Sequence, residues 1–540
     1  MPHLKIYMPT DCIPFRETNY FSEFICDYLD QKPKLKPLYN RFPSLENFKA
    51  QIDEKYHSEL VSESQRMVLV NVIKQQYSKL KTSELTLEHI ESLEKEKTFT
   101  ITTGHQLNLF TGPLYFLYKI ISTINLTKQL KEAYPKYNFV PIYWMASEDH
   151  DFEEINYFNF RGKKIQWNSN QTGAVGHFNT KGLDKVFKIV SAEFGAGKNA
   201  EQLKKWFKEA YLNHDNLADA TRYIANALFG DHGLVILDSD HKDLKRLFIP
   251  NIEKELIEQT AFKHVSETNK TLEDLELKIQ VNPREINFFY IDKDLRERIV
   301  YEDDKFKVNN TNISWSKSEL LKHLNEVPER FSPNVIMRPL YQEVILPNLC
   351  YIGGGGEMIY WLQLKSNFEA HNVTFPMLLL RNSALVKTVK QSQKLKNLNV
   401  LDQDLFLDRS SFINKKVRAI SNIDIDFSKQ IQHLERQFKG LYILAEQTDK
   451  SFIGAVKAQE IKQSKGIKHL EKRLLKAQKK KLEDQISRCT ELQEQLFPRQ
   501  SLQERNTNFS ELYLEFGDDL IAQLMKALEP LNSEFSILIL

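Results

Sequence analysis

The segment from Thr98 to Ser147 constrains the fold of this 540-residue chain most, because its order is strand, helix, strand. Residues 98–103 are mostly β-branched, Gly112-Pro113 precedes an apolar helical run, and residues 139–147 form a second apolar strand. A strand that returns through a helix to another strand is typical of a parallel sheet. Further continuous apolar strands are predicted at residues 234–238, 287–291, 349–352 and 376–380. The sequence therefore predicts a doubly wound α/β core.

Two irregular stretches and one long helical stretch divide the chain. Insertions are predicted near residues 156–230 and 293–318, within a core domain that covers residues 1–381. Residues 382–499 are rich in Gln, Lys and Glu and have the apolar spacing of a coiled coil. The residues of its two apolar seams are Ile431, Leu434, Phe438, Leu441 and Ala445, then Leu475, Leu482, Cys489 and Leu496. We expect two antiparallel helices that turn near Asp449 or Gly466, and a segment 500–540 that returns to the core through the strand-like FSILIL.

The charges of the chain nearly balance, with 74 Lys and Arg against 72 Asp and Glu and a net charge of +2. A one-signed field that would bind nucleic acid or an anionic membrane is therefore not expected. No run approaches the roughly 18 apolar residues that span a bilayer, and the first residues lack the features of a signal peptide. The four cysteines form no CxxC pair. We expect a cytoplasmic protein with reduced cysteines and small-molecule partners.

The first candidate site lies between the first strand and the helix that follows it. Parallel sheets bind ligands at the carboxyl ends of their strands, and helix amino ends attract anions. His105 and Thr111 could each donate a hydrogen bond to a phosphate oxygen there. The predicted binding residues are Thr103, Gly104, His105, Gln106, Thr111 and Gly112. The alternative is an ordinary turn, in which Gly104 supplies the backbone angle and Pro113 begins the helix.

The second candidate site is the acidic run at the end of the next strand. Its predicted catalytic residues are Glu148, Asp149, His150 and Asp151. Carboxylates around a histidine could hold Mg²⁺, orient an amine or act as a general base. The alternative is helix capping, because Asp151 and Glu154 have the spacing of a capping box. Capping does not explain why the run begins directly at a strand end, so we favour a functional site.

Four consecutive glycines form the third candidate site. Such a run has a large entropic cost, which is tolerated where the main chain must approach a ligand closely. We predict a cradle for a phosphate or carboxylate, with a flexible loop as the alternative. Two arginines after strand-like stretches could clamp the same kind of group, although structural arginines are more common. The predicted binding residues are Gly353, Gly354, Gly355, Gly356, Glu357, Arg338 and Arg381.

A basic run extends over residues 457–481, with ten Lys or Arg and two Glu. Contact with RNA is one interpretation. No aromatic residues are interspersed, and the surrounding pattern is helical, so a solvated coiled-coil face is favoured. Nucleic acid is therefore not an expected partner.

The three candidate sites, in this order, resemble the bacillithiol biosynthesis cysteine-adding enzyme family, the cysteine ligases. The resemblance is carried by TTGHQLNLFTGPLYFLYK, PIYWMASEDHDFEEIN, PERFSPNVIMRPLYQEVILPNLCYIGGGGEMIYWLQLK and LFPRQSLQERNTNF. These segments extend it from about residue 98 to the carboxyl end. The family often has Pro where this chain has Gly355.

The resemblance implies a Rossmann-like core similar to that of class I aminoacyl-tRNA synthetases, with connecting insertions and a coiled coil that forms a homodimer. It implies that the enzyme joins L-cysteine to glucosaminyl malate by an amide bond, the last step of bacillithiol synthesis. Carboxylate activation by ATP with Mg²⁺ would suit this reaction, although no full HIGH or KMSKS signature is present. His105 and the amides near Gly112 would then bind phosphate, while Glu148 or Asp149 accepts the proton of the amine.

Two other functions stay open from the residues alone. The coiled coil could make the protein a scaffold or binding protein, in which the sheet has no catalytic role. The acidic run could hold a metal ion, although no metal ligand is certain, and make the protein a metal-dependent hydrolase.

Overall fold

A computed structural model describes residues 11–58 and 61–540 of the chain. These residues form two compact units. The first comprises the described residues up to 385 together with 503–538 and 540, and the second comprises residues 386–502 and 539.

The chain contains strands of both parallel and antiparallel sheets. They are β1 Asp11–Pro14, β2 Thr98–His105, β3 Asn138–Met145, β4 Tyr157–Phe160, β5 Lys163–Gln166, β6 Val235–Asp238, β7 Phe288–Asp292, β8 Leu295–Glu302, β9 Lys305–Val308, β10 Ser314–Trp315, β11 Phe331–Pro333, β12 Asn348–Gly353, β13 Met377–Leu380, β14 Ala384–Lys387 and β15 Glu534–Ile539.

Helices make up most of the remaining structure. They are α1 Phe15–Thr18, α2 Glu23–Leu29, α3 Leu45–His57, α4 Glu63–Tyr77, α5 Glu84–Ser92, α6 Tyr115–Ala133, α7 Phe152–Ile155, α8 Leu183–Phe194, α9 Lys198–Leu212, α10 Leu217–Phe229, α11 Lys242–Glu258, α12 Thr260–Asp274, α13 Lys317–Glu326, α14 Met337–Ile345, α15 Gly355–Leu362, α16 Lys365–Ala370, α17 Val389–Asn397, α18 Arg409–Ile420, α19 Ser428–Glu446, α20 Lys450–Lys481, α21 Glu483–Leu496, α22 Gln503–Asn506, α23 Phe509–Phe516 and α24 Asp519–Ala527.

The central sheet of the first unit has the strand order β13-β12-β2-β3-β6, and all of its neighbouring strands are parallel. The apolar side chains of these strands are buried, as in Ile101, Ile142 and Ile352. The predicted parallel-sheet α/β core is therefore confirmed. From β2 the chain continues to β3 on one side, and β12 lies on the other side. The carboxyl ends of β2 and β12 thus mark the switch point, where such sheets form a ligand crevice.

The insertions into this core have their own antiparallel sheets. Strands β4 and β5 form the hairpin that the segment FNFRGKKIQWN predicts. A second sheet has the order β10-β9-β8-β7-β11. The predicted strand at residues 287–291 belongs to this antiparallel sheet, so its assignment to the parallel core was wrong. A two-residue turn at Lys293-Asp294, with Asp294 at φ 58°, returns the chain directly into β8 as a hairpin.

The carboxyl-terminal segment of the first unit ends in β15, which pairs antiparallel with β1. FSILIL is therefore a strand, as predicted. Helices α22, α23 and α24 precede it, and Asn125 of α6 donates two hydrogen bonds to the carbonyls of Met525 and Leu528. These contacts attach the segment to the body of the first unit.

The second unit is helical, and its two longest helices pack together. Between α19 and α20 the chain turns at residues 447–449, where Asp449 caps α20, and Gly466 lies inside that helix. Leu434, Phe438 and Ala445 are buried, as the predicted seam requires. Of the other two predicted seam residues, Ile431 is half-buried and Leu441 is exposed.

Leu441 is 41% exposed, and its neighbour Tyr442 packs against the apolar cluster instead. The packed positions 434, 438, 442 and 445 follow the straight α-helical period rather than the alternating coiled-coil steps.

Within the described residues, no helix combines the length and apolar character that a membrane crossing requires.

Candidate functional site

A cavity of about 760 Å³ lies in the first unit, at the carboxyl ends of β2, β3 and β12. Residues from all three candidate sites line it together. The predicted residues in its wall are Gly104, His105, Gln106, Glu148, Asp149, His150, Asp151, Arg338, Gly354, Gly355, Gly356, Glu357 and Arg381. The strand ends thus bring together side chains that are far apart in the sequence.

Four predicted residues lie outside the cavity wall and have other contacts. Thr103 donates its hydroxyl hydrogen to the carbonyl of Ile352, and Gly353 is the last residue of β12. Thr111 and Gly112 lie in the buried turn before α6, both with positive φ. A Cβ at Gly112 would lie 2.6 Å from Cβ of Asn108, so glycine is required there by packing as well as by its backbone angle.

His105 presents an unpartnered nitrogen in the cavity wall. Its ring forms a hydrogen bond with the backbone of Thr111, while buried Nε2 has no partner. Burial, together with the nearby charge of Lys119, lowers the pKa of His105 to about 3. The imidazole is therefore neutral at physiological pH. Its single N–H is used in the bond to the Thr111 carbonyl, so Nε2 can accept a hydrogen bond from a ligand but cannot donate one.

Glu148 is held by a lysine that the sequence analysis did not identify. Nζ of Lys245 lies 2.6 Å from Oε1 of Glu148 and 2.8 Å from Oδ1 of Asp240. Nε2 of His177 lies 2.8 Å from the other carboxylate oxygen of Asp240. Burial raises the pKa of Glu148, while Lys245 opposes that rise. Glu148 is thus a stronger base than an ordinary glutamate.

Asp149 has the opposite electrostatic environment. Gln106 donates a hydrogen bond to its Oδ2 at 3.1 Å and a second one to Oε2 of Glu154 at 3.0 Å. Burial would raise the pKa of Asp149, but the bond from Gln106 and the charges of Arg296 and Arg338 lower it. Asp149 therefore stays anionic and suits the binding of a cation better than the acceptance of a proton.

His150 and Asp151 complete the acidic run. Nη1 of Arg296 lies 2.5 Å from Nδ1 of His150, and because a guanidinium only donates, Nδ1 is the acceptor. Asp151 precedes the short helix α7, but its side chain forms no capping hydrogen bond. The capping-box alternative for Asp151 and Glu154 is therefore wrong, since Glu154 binds Gln106 instead.

The glycine run forms a strand end and the start of a helix. Gly354 is the N-cap of α15, and Gly355 and Gly356 form its first turn. Oε2 of Glu357 accepts a hydrogen bond from the amide of Gly354 at 2.8 Å. A Cβ at Gly356 would meet no atom within 4 Å, so this part of the turn is open. The amino end of α15 faces the cavity and suits an anion.

The two predicted arginines differ in how many of their donors are free. Arg338 donates to the hydroxyl of Tyr360 at 3.0 Å. Arg381 uses Nη1 and Nη2 for structural contacts, including a 2.7 Å ion pair with buried Glu504. Only Nε of Arg381 is unpartnered, and it lies 3.8 Å from the position of a Cβ on Gly354.

Comparisons with known proteins agree with this arrangement along the whole chain. Residues 8–382 match the family description "Bacillithiol biosynthesis BshC, N-terminal Rossmann-like domain", and residues 384–540 match "Bacillithiol biosynthesis BshC, C-terminal coiled-coil domain". The chain belongs to the BshC family.

Its relatives include proteins named "Putative cysteine ligase BshC" from three bacteria. The protein of Christiangramia forsetii is 60% identical, over 98% of this chain and 99% of its own length. That of Flavobacterium johnsoniae is 59% identical, over 98% of this chain and all of its own length. That of Cytophaga hutchinsonii is 38% identical, over 96% of each. The expected cysteine ligase of bacillithiol biosynthesis is confirmed at the level of the family.

Several cavity residues of this BshC-family chain were not identified from its sequence. They are Lys119, Arg284, Arg296, Arg298, Tyr351 and Tyr360. Lys119 was the most accessible to prediction, because it is the only charge in the apolar run LYFLYKII. The arginines lie in and before the antiparallel insertion, and nothing in the local pattern indicates that this insertion covers the cavity.

The acidic side chains Glu148 and Asp149 of this cavity are each held by a different partner. Within residues 11–58 and 61–540, no group of three or more His, Cys, Asp or Glu side chains has an arrangement that could hold a metal ion. Glu148 is paired with Lys245, and Asp149 is bonded to Gln106.

Proposed function

We propose that the protein joins the carboxylate of L-cysteine to the amine of glucosaminyl malate, with nucleotide-dependent activation of the carboxylate. One observation supports this most strongly: in a chain of the BshC family, a basic carboxylate, a neutral histidine and an open helix start line one cavity. An amide-forming enzyme needs a base for the amine and donors for the anionic oxygens of the activated acid.

Glu148 is the proposed general base. An amine attacks only when it is neutral, and the raised pKa of Glu148 suits the removal of an ammonium proton. Lys245 fixes the carboxylate by its contact with Oε1. Asp149, with its lowered pKa, orients the amine as a lasting anion.

The proposed anion site lies on the other side of the crevice. A nucleotide would supply the activating phosphoryl or nucleotidyl group. Nε of Arg381 is an unpartnered donor in this wall, and the amides of Gly355 and Gly356 lie in the first turn of α15, where no intrahelical carbonyl pairs with them. Neutral His105 accepts a hydrogen bond through Nε2, from a hydroxyl or amino group of the bound nucleotide or substrate. Placing both substrates in one cavity also removes much of the entropic barrier to their reaction.

The second unit supports a proposed homodimer. Several large apolar side chains of its helices are exposed, namely Leu441, Ile443, Leu444, Phe452, Ile461 and Leu470. A second copy of the same helices would cover them, as in a coiled coil. We place the enzyme in the cytoplasm, where its small-molecule substrates would be formed.

The purified full chain, incubated with ATP, Mg²⁺, cysteine and glucosaminyl malate, tests the proposal. We expect bacillithiol by mass spectrometry and one equivalent of AMP or ADP for each product. Product formed without nucleotide cleavage would contradict only the nucleotide-dependent activation and not the ligase function. The protein can also be expressed in a strain that lacks the last step of bacillithiol synthesis. If the protein is soluble there and glucosaminyl malate still accumulates, the ligase function is contradicted.

A further inference from the structure

Lys119 is a buried charge at the switch point whose role the proposed function leaves unassigned. It lies near the start of α6 and is 3% exposed. Its Nζ donates to the carbonyl of Gly104 at 2.7 Å and lies 2.5 Å from Oε2 of Glu357. One ammonium group thus joins the end of β2 to the first turn of α15.

The contact lies where the backbone pairing between the two strands stops. The register of β2 and β12 ends at Thr103 and Ile352. Beyond that pair, Gly104 continues along β3, whereas β12 leads into the glycine run. The crevice therefore opens directly after the last pair, and Lys119 spans its base.

Further hydrogen bonds make this connection rigid. Glu357 also accepts from the amide of Gly354 at 2.8 Å and from the hydroxyl of Tyr351 at 3.0 Å. That hydroxyl lies 3.1 Å from the position of a Cβ on Gly104, so a side chain there would press on it and require a shift of a few tenths of an ångström. Lysine, glutamate, tyrosine and two glycine backbones thus connect the two sides of the crevice.

A buried ammonium group destabilises the fold unless its partners compensate for the lost hydration. Burial lowers the pKa of Lys119, and the charge of Glu357 opposes that change. An apolar side chain would fill the same space without this cost but could not join Gly104 to Glu357.

We propose that Lys119 is a positioning residue that fixes the width of the crevice between β2 and β12. Through Gly104 and Glu357 it sets the distance between His105 on one side and the Gly354–Gly356 turn on the other. A bound nucleotide or activated substrate that contacts both sides depends on that distance. This catalytic consequence rests on the proposed ligase function, whereas the structural link does not.

Lys119→Met tests the structural link without any ligand. Hydrogen exchange, followed by mass spectrometry, should become faster both in the peptide that covers residues 100–106 and in the peptide that covers residues 352–358. The matched control is Lys387→Met in the second unit, because Lys387 is paired with Asp402 and its side chain has the same 4% exposure as that of Lys119. The control should leave exchange in both peptides at the wild-type rate. Unchanged exchange in Lys119→Met would overturn the proposal.

Kinetics of Lys119→Met, Glu357→Gln and the double variant test the catalytic consequence. A misplacement of about 1 Å lowers rates by roughly 100-fold, which is the expected loss of kcat/KM in Lys119→Met. Because Lys119 acts through Glu357, the double variant should lose no more than the more impaired single variant. Losses that multiply would instead show that Lys119 contacts substrate independently and would overturn the positioning role.

Failure of the proposed ligase function can be told apart from failure of the proposed role of Lys119. The double variant removes both charges and is expected to fold, since losing a whole buried pair is tolerated better than losing one partner. A wild-type protein without ligase activity would contradict the proposed function, and the exchange result would then decide the role of Lys119 alone.

Discussion

At the scale of single residues, Glu148 and Asp149 show how neighbouring carboxylates acquire different chemistry. Burial raises the pKa of Glu148. Burial alone would also raise the pKa of Asp149, but Gln106, Arg296 and Arg338 lower it. Both side chains line the same cavity, and their different partners support the proposed roles of base for Glu148 and fixed anion for Asp149.

The pH dependence of the reaction should follow Glu148. A general base acts only in its ionised form. Because the pKa of Glu148 is raised, activity should be lost on acidification at a higher pH than with a glutamate of ordinary pKa. We expect kcat/KM to fall as the pH drops through this raised pKa. Glu148→Gln should lose roughly 100- to 10,000-fold in kcat and should lack that acid limb. An acid limb of unchanged position in Glu148→Gln would exclude Glu148 as the base.

His105 should remain neutral well below physiological pH. Its pKa is lowered to about 3, mainly by burial, so the ring should carry no charge at pH 5. Nitrogen-15 NMR of histidine-labelled protein, with the resonance assigned by comparison with His105→Gln, measures this directly. A titration midpoint near the usual 6.5 would contradict the buried environment described for the ring.

At the scale of elements, Arg381 links the end of β13 to the carboxyl-terminal segment. Nη2 of Arg381 pairs with Oε1 of Glu504 at 2.7 Å, and their side chains are 4% and 0% exposed. Oxygen atoms of Glu504 also accept bonds from the hydroxyl of Ser383 and the amide of Ala384. The pair and its hydrogen bonds fix α22 against the sheet.

Arg381→Met should destabilise the first unit strongly, because it leaves the Glu504 carboxylate buried without its counter-charge. Breaking such a pair typically lowers the free energy of unfolding by about 3–5 kcal/mol. Urea denaturation measures the loss, and Arg381→Met/Glu504→Met should recover most of it. A double variant as unstable as Arg381→Met would show that the missing charge is not the cause.

The sequence predicts these elements where their signal is local. Strands β3, β6, β12 and β13 are mainly apolar runs and β2 is rich in β-branched residues. Their polar ends meet because parallel strands share an edge. Partner choice is not local. Strand β7 has the same apolar character but pairs antiparallel, and only the turn at Lys293-Asp294 distinguishes it.

The same limit applies to the site. Lys245 binds Glu148 from a distant helix, and Arg296 contacts His150 from an inserted hairpin. No spacing within either segment encodes those contacts, because they form only when the tertiary fold brings the segments together. The strand-end residues could be predicted, but the partners that set their pKa values could not.

At the scale of the whole molecule, the proposed homodimer predicts a clear effect of surface charge. Leu444 and Leu470 are 56% and 55% exposed on the helices of the second unit. Leu444→Lys with Leu470→Lys should shift sedimentation from dimer to monomer, because a dimer would bury these positions. Gln463→Lys, which adds the same kind of charge at an exposed position of α20, should leave the dimer intact. A wild-type protein that sediments as a monomer would contradict the proposal.

The first unit is discontinuous in the sequence, since residues 503–538 join a body that otherwise ends at residue 385. A ribosome must therefore synthesise the entire second unit before it delivers Glu504 to Arg381 and β15 to β1. Until then the guanidinium of Arg381 lacks its counter-ion and β1 has an open edge, which is a risk for aggregation. We therefore expect the nascent first unit to be exposed to aggregation for the time needed to translate the helical unit.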